Sequence, residues 1–78
     1  MDPLASKVLA LVAERVERDP SEIPLQRSFD ELGFDSVISM DILFTLEEEF
    51  DLSIPDQDAR EVNSVNDLIE LIRRLQSE

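Results

Sequence analysis

The residues best placed to support chemistry are Asp35 and Ser36, within the segment Leu32-Gly33-Phe34-Asp35-Ser36-Val37. The segment predicts that Ser36 stands at the start of a helix, where unpaired N–H groups and the positive end of the helix dipole favour an anion. A phosphodiester attached to the Ser36 hydroxyl would fit this position. The chain contains no histidine, no cysteine and no glycine-rich phosphate loop, so it lacks a nucleophile–base pair for catalysis. The sequence therefore indicates a protein that is modified and carried, not one that catalyses.

Length and composition limit the classes of protein to consider. With 78 residues, we expect one small domain that spans residues 1–78. Apolar runs are far shorter than the roughly 20 residues of a membrane-spanning helix, and the N-terminus lacks the basic region of a secretion signal. The absence of cysteine excludes disulfides and is compatible with the reducing cytoplasm, where we expect the protein to act. No metal site is expected, because histidine is absent and the acids near residues 51–58 lack the central glycine of a calcium loop.

The charge of the chain is strongly negative and unevenly distributed. A net charge of −12 argues against binding to nucleic acids or anionic membranes, which require a cationic surface. Residues 28–59 contain no lysine or arginine, but they contain these acids: Asp30, Glu31, Asp35, Asp41, Glu47, Glu48, Glu49, Asp51, Asp56 and Asp58. Such a field attracts basic partners, although the same acids could simply keep a small domain in solution.

The spacing of apolar residues predicts an all-α fold, a small four-helix bundle with a long first loop. Three main helices and a short third helix are expected: one from Asp2–Pro3 to near Arg18, one from Ser36 to Phe50, a short one that starts at Pro55–Asp56 and carries Ala59 and Val62, and one that begins after Ser64. The long first loop covers residues 19–35, and its Ser28 and Glu31 could cap a brief helical turn. The expected core residues of the helices are Leu4, Val8, Leu11, Val12, Val16, Ile42, Leu43, Leu46, Phe50, Val65, Leu68, Ile69, Ile72 and Leu75, and the expected loop anchors are Ile23, Leu25, Phe29, Leu32 and Phe34.

The helix predicted at residues 36–50 carries a second apolar stripe. Val37, Met40 and Phe44 fall on the side opposite the core, and the flanking acids are Asp41, Glu47 and Glu48. In a bundle such a stripe can be buried, but in so small a domain few elements remain to cover it. An apolar patch ringed by acids is typical of a transient docking surface, and we favour that interpretation.

Taken together, these motifs resemble those of the acyl carrier proteins. The resemblance rests on Phe29-Asp30-Glu31-Leu32-Gly33-Phe34-Asp35-Ser36-Val37, on Leu46-Glu47-Glu48-Glu49-Phe50 and on Ile54-Pro55-Asp56, and the general pattern extends over almost the whole chain. It implies that Ser36 accepts a phosphopantetheine arm from coenzyme A through a phosphopantetheinyl transferase. Acyl groups would be carried on the thiol of this arm as thioesters while separate enzymes load, extend and remove them.

The resemblance also assigns roles to residues near Ser36. It places Asp35 at the modification site, where the carboxylate would help to engage the transferase and its magnesium ion. It matches the docking positions of such carriers to Val37, Met40, Asp41, Phe44, Glu47 and Glu48. The partners implied are an acyltransferase, a ketosynthase and other synthase enzymes with basic patches, which would meet this chain as a monomer.

Two positions depart from the common pattern of the family. Val37 stands where leucine is usual, which is a mild change, and Ile38 stands where a polar residue is common. We expect Ile38 to widen the docking surface. We also expect the second and last helices to part and admit an apolar chain between them.

Three functions remain to be compared at this point. The leading prediction is a carrier for fatty-acid or polyketide synthesis, and a close alternative is an aminoacyl carrier in nonribosomal peptide assembly. A third is an unmodified acidic helical adaptor, which would need the docking surface but not Ser36.

Overall fold

The computed structural model describes residues 1–77 and shows an all-α fold. Its helices are α1 (Pro3–Val16), α2 (Phe29–Leu32), α3 (Ser36–Phe50), α4 (Asp56–Glu61) and α5 (Val65–Ser77), with a 3-10 turn at Pro20–Glu22 between α1 and α2. No strand forms among the described residues, where Ser28 and Ser64 make an isolated β-bridge. The predicted architecture of three main helices and a short third one is confirmed, and the brief turn predicted in the first loop is α2.

Side-chain caps set the starts of two main helices where the sequence predicts them. The Asp2 carboxylate accepts a hydrogen bond from the Ala5 N–H at 2.8 Å, with Pro3 as the first residue of α1. The Ser64 hydroxyl accepts from the Asp67 N–H at 3.2 Å at the start of α5. Each cap satisfies a backbone donor that has no partner inside the helix.

Some predicted helix ends are wrong by one or two residues. The first helix ends at Val16 and not near Arg18, because Glu17 adopts the left-handed conformation with φ of 58°. The Arg18 N–H then turns back to the Ala13 carbonyl at 3.0 Å, which closes the helix. The short helix α4 begins at Asp56 with Pro55 as its cap, as predicted, but Val62 follows its last residue instead of lying within it.

The core lies where α1, α3 and α5 meet. Fully buried side chains come from all three helices: Val8, Val12, Ile42, Leu46, Val65, Leu68 and Ile72. Each large aliphatic side chain contributes about 1.5–3 kcal/mol through removal from water. Of the other core residues predicted in the helices, Ile69 is also buried, and the rest are partly buried and pack against the core: Leu4, Leu11, Val16, Leu43, Phe50 and Leu75. Leu71 is buried as well, although the spacing did not predict it.

The long first loop is tied to the segment between α4 and α5 and to the first turn of α5. The Phe29 N–H donates to the Asn63 carbonyl at 2.7 Å, and the Asn66 N–H donates to the Leu25 carbonyl at 3.0 Å. The predicted anchors Ile23 and Phe29 are buried, whereas Leu25 and Leu32 are partly buried. The loop therefore has a defined path that leads to the start of α3.

Candidate functional site

A tight turn at Gly33 directs the chain into α3. Gly33 has φ of +83° and its N–H donates to the Asp30 carbonyl at 3.1 Å, while the Phe34 N–H donates to the Phe29 carbonyl at 2.9 Å. This left-handed conformation costs glycine little, whereas a side chain would be strained. The glycine of the motif is thus explained by the backbone reversal immediately before the helix.

Phe34 fixes the position of this turn. Its side chain is buried, and the centroid of its ring lies 5.7 Å from that of Phe29. The Arg18 guanidinium lies over the Phe34 ring, 5.3 Å from its centroid, a distance typical of a cation–π contact. Phe34 is therefore the loop anchor that the sequence predicts.

Asp35 and Ser36 follow as the cap and the first residue of α3. One carboxylate oxygen of Asp35 accepts from the Ile38 N–H at 2.9 Å. Within residues 1–77, the second oxygen of this carboxylate and the Ser36 hydroxyl have no hydrogen-bond partner. Both side chains are exposed, so a reacting enzyme could reach the hydroxyl without local unfolding.

A groove of about 480 Å³ begins beside Ser36 and lies between α3 and α4. Its apolar lining comes mainly from Met40, Leu43, Phe44, Ile54 and Val62, and polar groups line the rest. Such a mixture is typical of sites for small organic groups. A long group on Ser36, partly amide and partly aliphatic, would fit this mixture of polar and apolar lining residues.

The groove lies in a different place from the space that we expect to open between the second and last helices, and that opening stays a prediction. The groove is bounded by α4 and not by α5. The physical reason lies in α4, which has only six residues, no side-chain cap and no buried residue. A short helix held so weakly leaves more room beside α3 than the well-buried α5 does.

The stripe Val37, Met40 and Phe44 is open to solvent. The exposed fractions of these side chains are 70%, 53% and 53%, respectively. We call these three residues the docking face. Ile38 does not widen this face as expected, because it is partly buried and packs against the core.

The three acids predicted to border the docking face differ in their surroundings. Asp41 forms an ion pair with Arg15 of α1 at 2.7 Å, and a Glu47 oxygen accepts from the Ile54 N–H at 2.8 Å. Glu48 is exposed and has no such partner within residues 1–77. Sequence spacing could not reveal the first two contacts, since they depend on how α1 and the segment before α4 pack.

Sequence reasoning also passed over Arg60, an exposed residue of α4 in the lining of the groove. The signal was available, because Arg60 is the single lysine or arginine between positions 28 and 72. In the part of the chain that the structure describes, no group of acids is arranged to hold a metal ion. No helix in that part is long and apolar enough to cross a membrane.

Comparisons with known proteins agree with this geometry. The family model described as the phosphopantetheine attachment site matches residues 6–72. The acyl carrier protein of Clostridium acetobutylicum is 40% identical over 68 residues, which cover 86% of this chain and 88% of the relative. The acyl carrier protein of Porphyromonas gingivalis is 35% identical over 75 residues, which cover 95% of this chain and 96% of the relative. The chain therefore belongs to the acyl carrier protein family, as a carrier with a phosphopantetheine attachment domain and not as an enzyme.

Proposed function

We propose that Ser36 is the residue that bears the phosphopantetheine arm, and that the chain carries acyl groups between enzymes of fatty-acid or polyketide synthesis. The observation that carries the proposal is the exposed Ser36 hydroxyl at the first residue of α3, beside the groove. Both relatives named above are acyl carrier proteins, which favours acyl over aminoacyl cargo. We expect the chain to act as one carrier domain, as a monomer and in the cytoplasm.

Attachment would be a phosphoryl transfer at the Ser36 oxygen. The bond from this oxygen to phosphorus forms as the pyrophosphate link of coenzyme A breaks, so that adenosine bisphosphate leaves and the hydroxyl proton passes to a base of the transferase. The oxygen of Asp35 that does not cap α3 is free to engage the magnesium ion of the transferase, since carboxylates are suitable magnesium ligands. When bound, the arm supplies a thiol that forms thioesters, which this cysteine-free chain lacks.

The groove between α3 and α4 is our candidate for holding the arm and its cargo. The more buried Leu43 and Ile54 contribute apolar surface to the groove, and so do the exposed Phe44 and Met40. Burying an acyl chain there would be favourable by about 25 cal/mol for each Å² of apolar surface removed from water. The short α4 could adjust to longer chains at low cost.

The docking face is our candidate for contact with the transferase, acyltransferase, ketosynthase and related enzymes. Exposed Val37, Met40 and Phe44 offer apolar area, and Glu48 offers a negative charge free of contacts within residues 1–77. Opposite charge on a partner would speed and orient association, while the apolar contacts would supply affinity. The pairing of Asp41 with Arg15 supports a lesser role for that acid.

Intact-protein mass spectrometry tests the attachment site. The unmodified chain is incubated with coenzyme A, magnesium and a transferase of broad specificity, beside Ser36→Ala and Ser39→Ala. Ser39 is the matched control, because it lies on the same helix and lines the same groove. We expect a gain of one phosphopantetheine group in the wild type and in Ser39→Ala, and no gain in Ser36→Ala. A gain in Ser36→Ala, or none in the folded wild type with several transferases, would overturn the proposal.

A further inference from the structure

Among residues 1–77, Arg60 is the one lysine or arginine in the lining of the groove beside Ser36. The same groove is lined by the carboxylates of Asp30, Asp35, Glu47 and Asp56. Carboxylates attract a nearby cation, but an ion pair between exposed side chains contributes little to stability, so Arg60 need not pair with one of them. The binding partner of the Arg60 guanidinium must therefore be found among these carboxylates or among anions outside them.

Within residues 1–77, the Arg60 guanidinium has no carboxylate partner. The ion pairs in this part of the chain join Arg15 to Asp41, Arg73 to Asp2 and Arg74 to Asp58. Asp56 lies four residues before Arg60 on the same helix, the spacing that best supports a helical ion pair, yet the two do not pair. The exposed guanidinium is thus available to another anion.

The path of α4 brings Arg60 to the Ser36 end of the groove. The residue before Pro55, Ile54, is hydrogen bonded to Glu47 in the last turns of α3. Asn63, shortly after α4, is hydrogen bonded to Phe29 at 2.7 Å, and the Phe29 ring contacts Phe34. Because α4 runs from the far end of α3 back toward the turn before Ser36, Arg60 in its last turn lies toward that turn.

We propose that Arg60 binds the phosphodiester of the arm on Ser36 and so acts as a positioning residue for the base of the arm. The inference rests on the proposed attachment at Ser36. A phosphodiester there adds a negative charge beside Asp35 and near Asp30, and the N-terminus of α3 offsets only part of the repulsion, because its Ile38 N–H already binds Asp35. The planar guanidinium fits two phosphate oxygens at once, and within residues 1–77 Arg60 is the one cationic residue that lines the groove.

The role assigned to Arg60 is to direct the arm. A phosphodiester held from the α4 side would orient the rest of the arm along the groove, toward Leu43 and Ile54, and away from free solvent. The Ser36 end would then be fixed at two points, its covalent bond and the guanidinium. Loss of the second point would leave attachment possible but the arm less ordered.

Nuclear magnetic resonance of the modified protein tests this assignment. The wild type, Arg60→Gln, Arg60→Lys and Arg27→Gln are each loaded, and the gain in mass is checked first, so that a failure of attachment is recognised separately. Arg27→Gln is the matched control, because it removes the same charge from an exposed arginine outside the groove. The readouts are the phosphorus resonance of the arm and the exchange rate of the Arg60 Nε–H with solvent.

We expect exchange of the Arg60 Nε–H to slow severalfold when the arm is attached. The phosphorus resonance should move in Arg60→Gln, move less in Arg60→Lys and stay unchanged in Arg27→Gln. A full gain in mass with the same phosphorus resonance in Arg60→Gln and Arg27→Gln would overturn the inference while leaving attachment intact. So would an Arg60 signal that changes only after a cargo with its own carboxylate is loaded, since the guanidinium would then serve the cargo and not the arm.

Discussion

The two faces of α3 have similar apolar residues and opposite surroundings. Ile42 and Leu46 are 1% and 0% exposed, whereas Met40 and Phe44, on the same helix, are each 53% exposed. Hydrophobicity alone therefore does not decide burial, because one face packs into the core shared with α1 and α5, whereas the short α4 lies beside the other face and leaves its side chains about half exposed. The covered face supports the fold, and the open face is the one that we propose for contacts with partner enzymes.

The largest expected effect is on the covered face. Leu46→Ala removes a fully buried side chain and leaves a cavity, so we expect a loss of about 2–5 kcal/mol in the free energy of unfolding. Phe44→Ala on the open face should change this free energy by less than about 0.5 kcal/mol. Urea unfolding followed by circular dichroism measures both. Equal losses in the two variants would contradict the comparison.

The reverse ranking is expected for binding to a partner. Phe44→Ala should weaken binding to a ketosynthase or transferase by about 1–2 kcal/mol, because aromatic anchors commonly dominate such contacts, which corresponds to roughly 5- to 30-fold in Kd. Isothermal titration calorimetry provides the measurement, with Gln76→Ala on the exposed surface of α5 as control. An unchanged Kd for Phe44→Ala would remove the docking face from the proposed function.

Asp35 caps the N-terminus of α3, the helix that carries both faces. Asp35→Ala loses the hydrogen bond to the Ile38 N–H, and we expect a loss of about 1 kcal/mol in the free energy of unfolding. Asp35→Asn can still cap the helix, so its stability should remain near that of the wild type. The rate of modification separates the two roles of Asp35: a slow rate in the stable Asp35→Asn would identify the charge as a contact for the transferase.

The acids around the open face predict a response to divalent cations. With a net charge of −12, mutual repulsion should weaken the fold at low ionic strength, and magnesium should offset part of it. We expect the melting temperature to rise by several degrees on adding millimolar magnesium, and by less with sodium at equal ionic strength. A melting temperature that magnesium leaves unchanged would show that repulsion among these acids is not limiting.

Much of the covered face could be predicted from the sequence, because helical spacing and capping are local signals. The caps at Asp2 and Ser64, the capping turn at Ser28 and the core positions Ile42 and Leu46 all depend on residues within one turn of each other. The end of α1 was missed, because the left-handed conformation of Glu17 has no signal as strong as a glycine.

The site was predicted in part, for the same reason. The turn before Ser36 depends on Gly33, Phe34 and Asp35. Because these residues are consecutive in the sequence, the turn could be predicted from a local motif. The position of the groove depends on how α4 packs, which no local pattern encodes. The contacts of Asp41 with Arg15 and of Glu47 with Ile54 likewise join residues from different elements.

The smallest expected effect is a pH dependence of stability that comes from Glu31, in the loop that leads to α3. This local contribution can be separated from the effect of the total charge. Hydrogen bonds from the Ser28 N–H and then from its hydroxyl lower the pKa of the Glu31 carboxyl from its ordinary value of 4.5. The folded state thus favours the charged form, and this contribution is complete above pH 4.5 and is lost as the pH falls through the lowered pKa. Loss of net negative charge acts in the opposite direction, because it relieves repulsion throughout the molecule.

A comparison with Glu31→Gln isolates the local part, since glutamine keeps an acceptor but does not titrate. We expect the melting temperature of the wild type relative to Glu31→Gln to fall as the pH drops below about 4.5. Glu49→Gln serves as control, because the Glu49 side chain is exposed and makes no hydrogen bond within residues 1–77. The melting temperature of the wild type relative to Glu49→Gln should lack this fall. If the wild type shows the same fall relative to both variants, the effect comes from the total charge. The capping turn would then orient α3 without making the stability of the protein depend on pH.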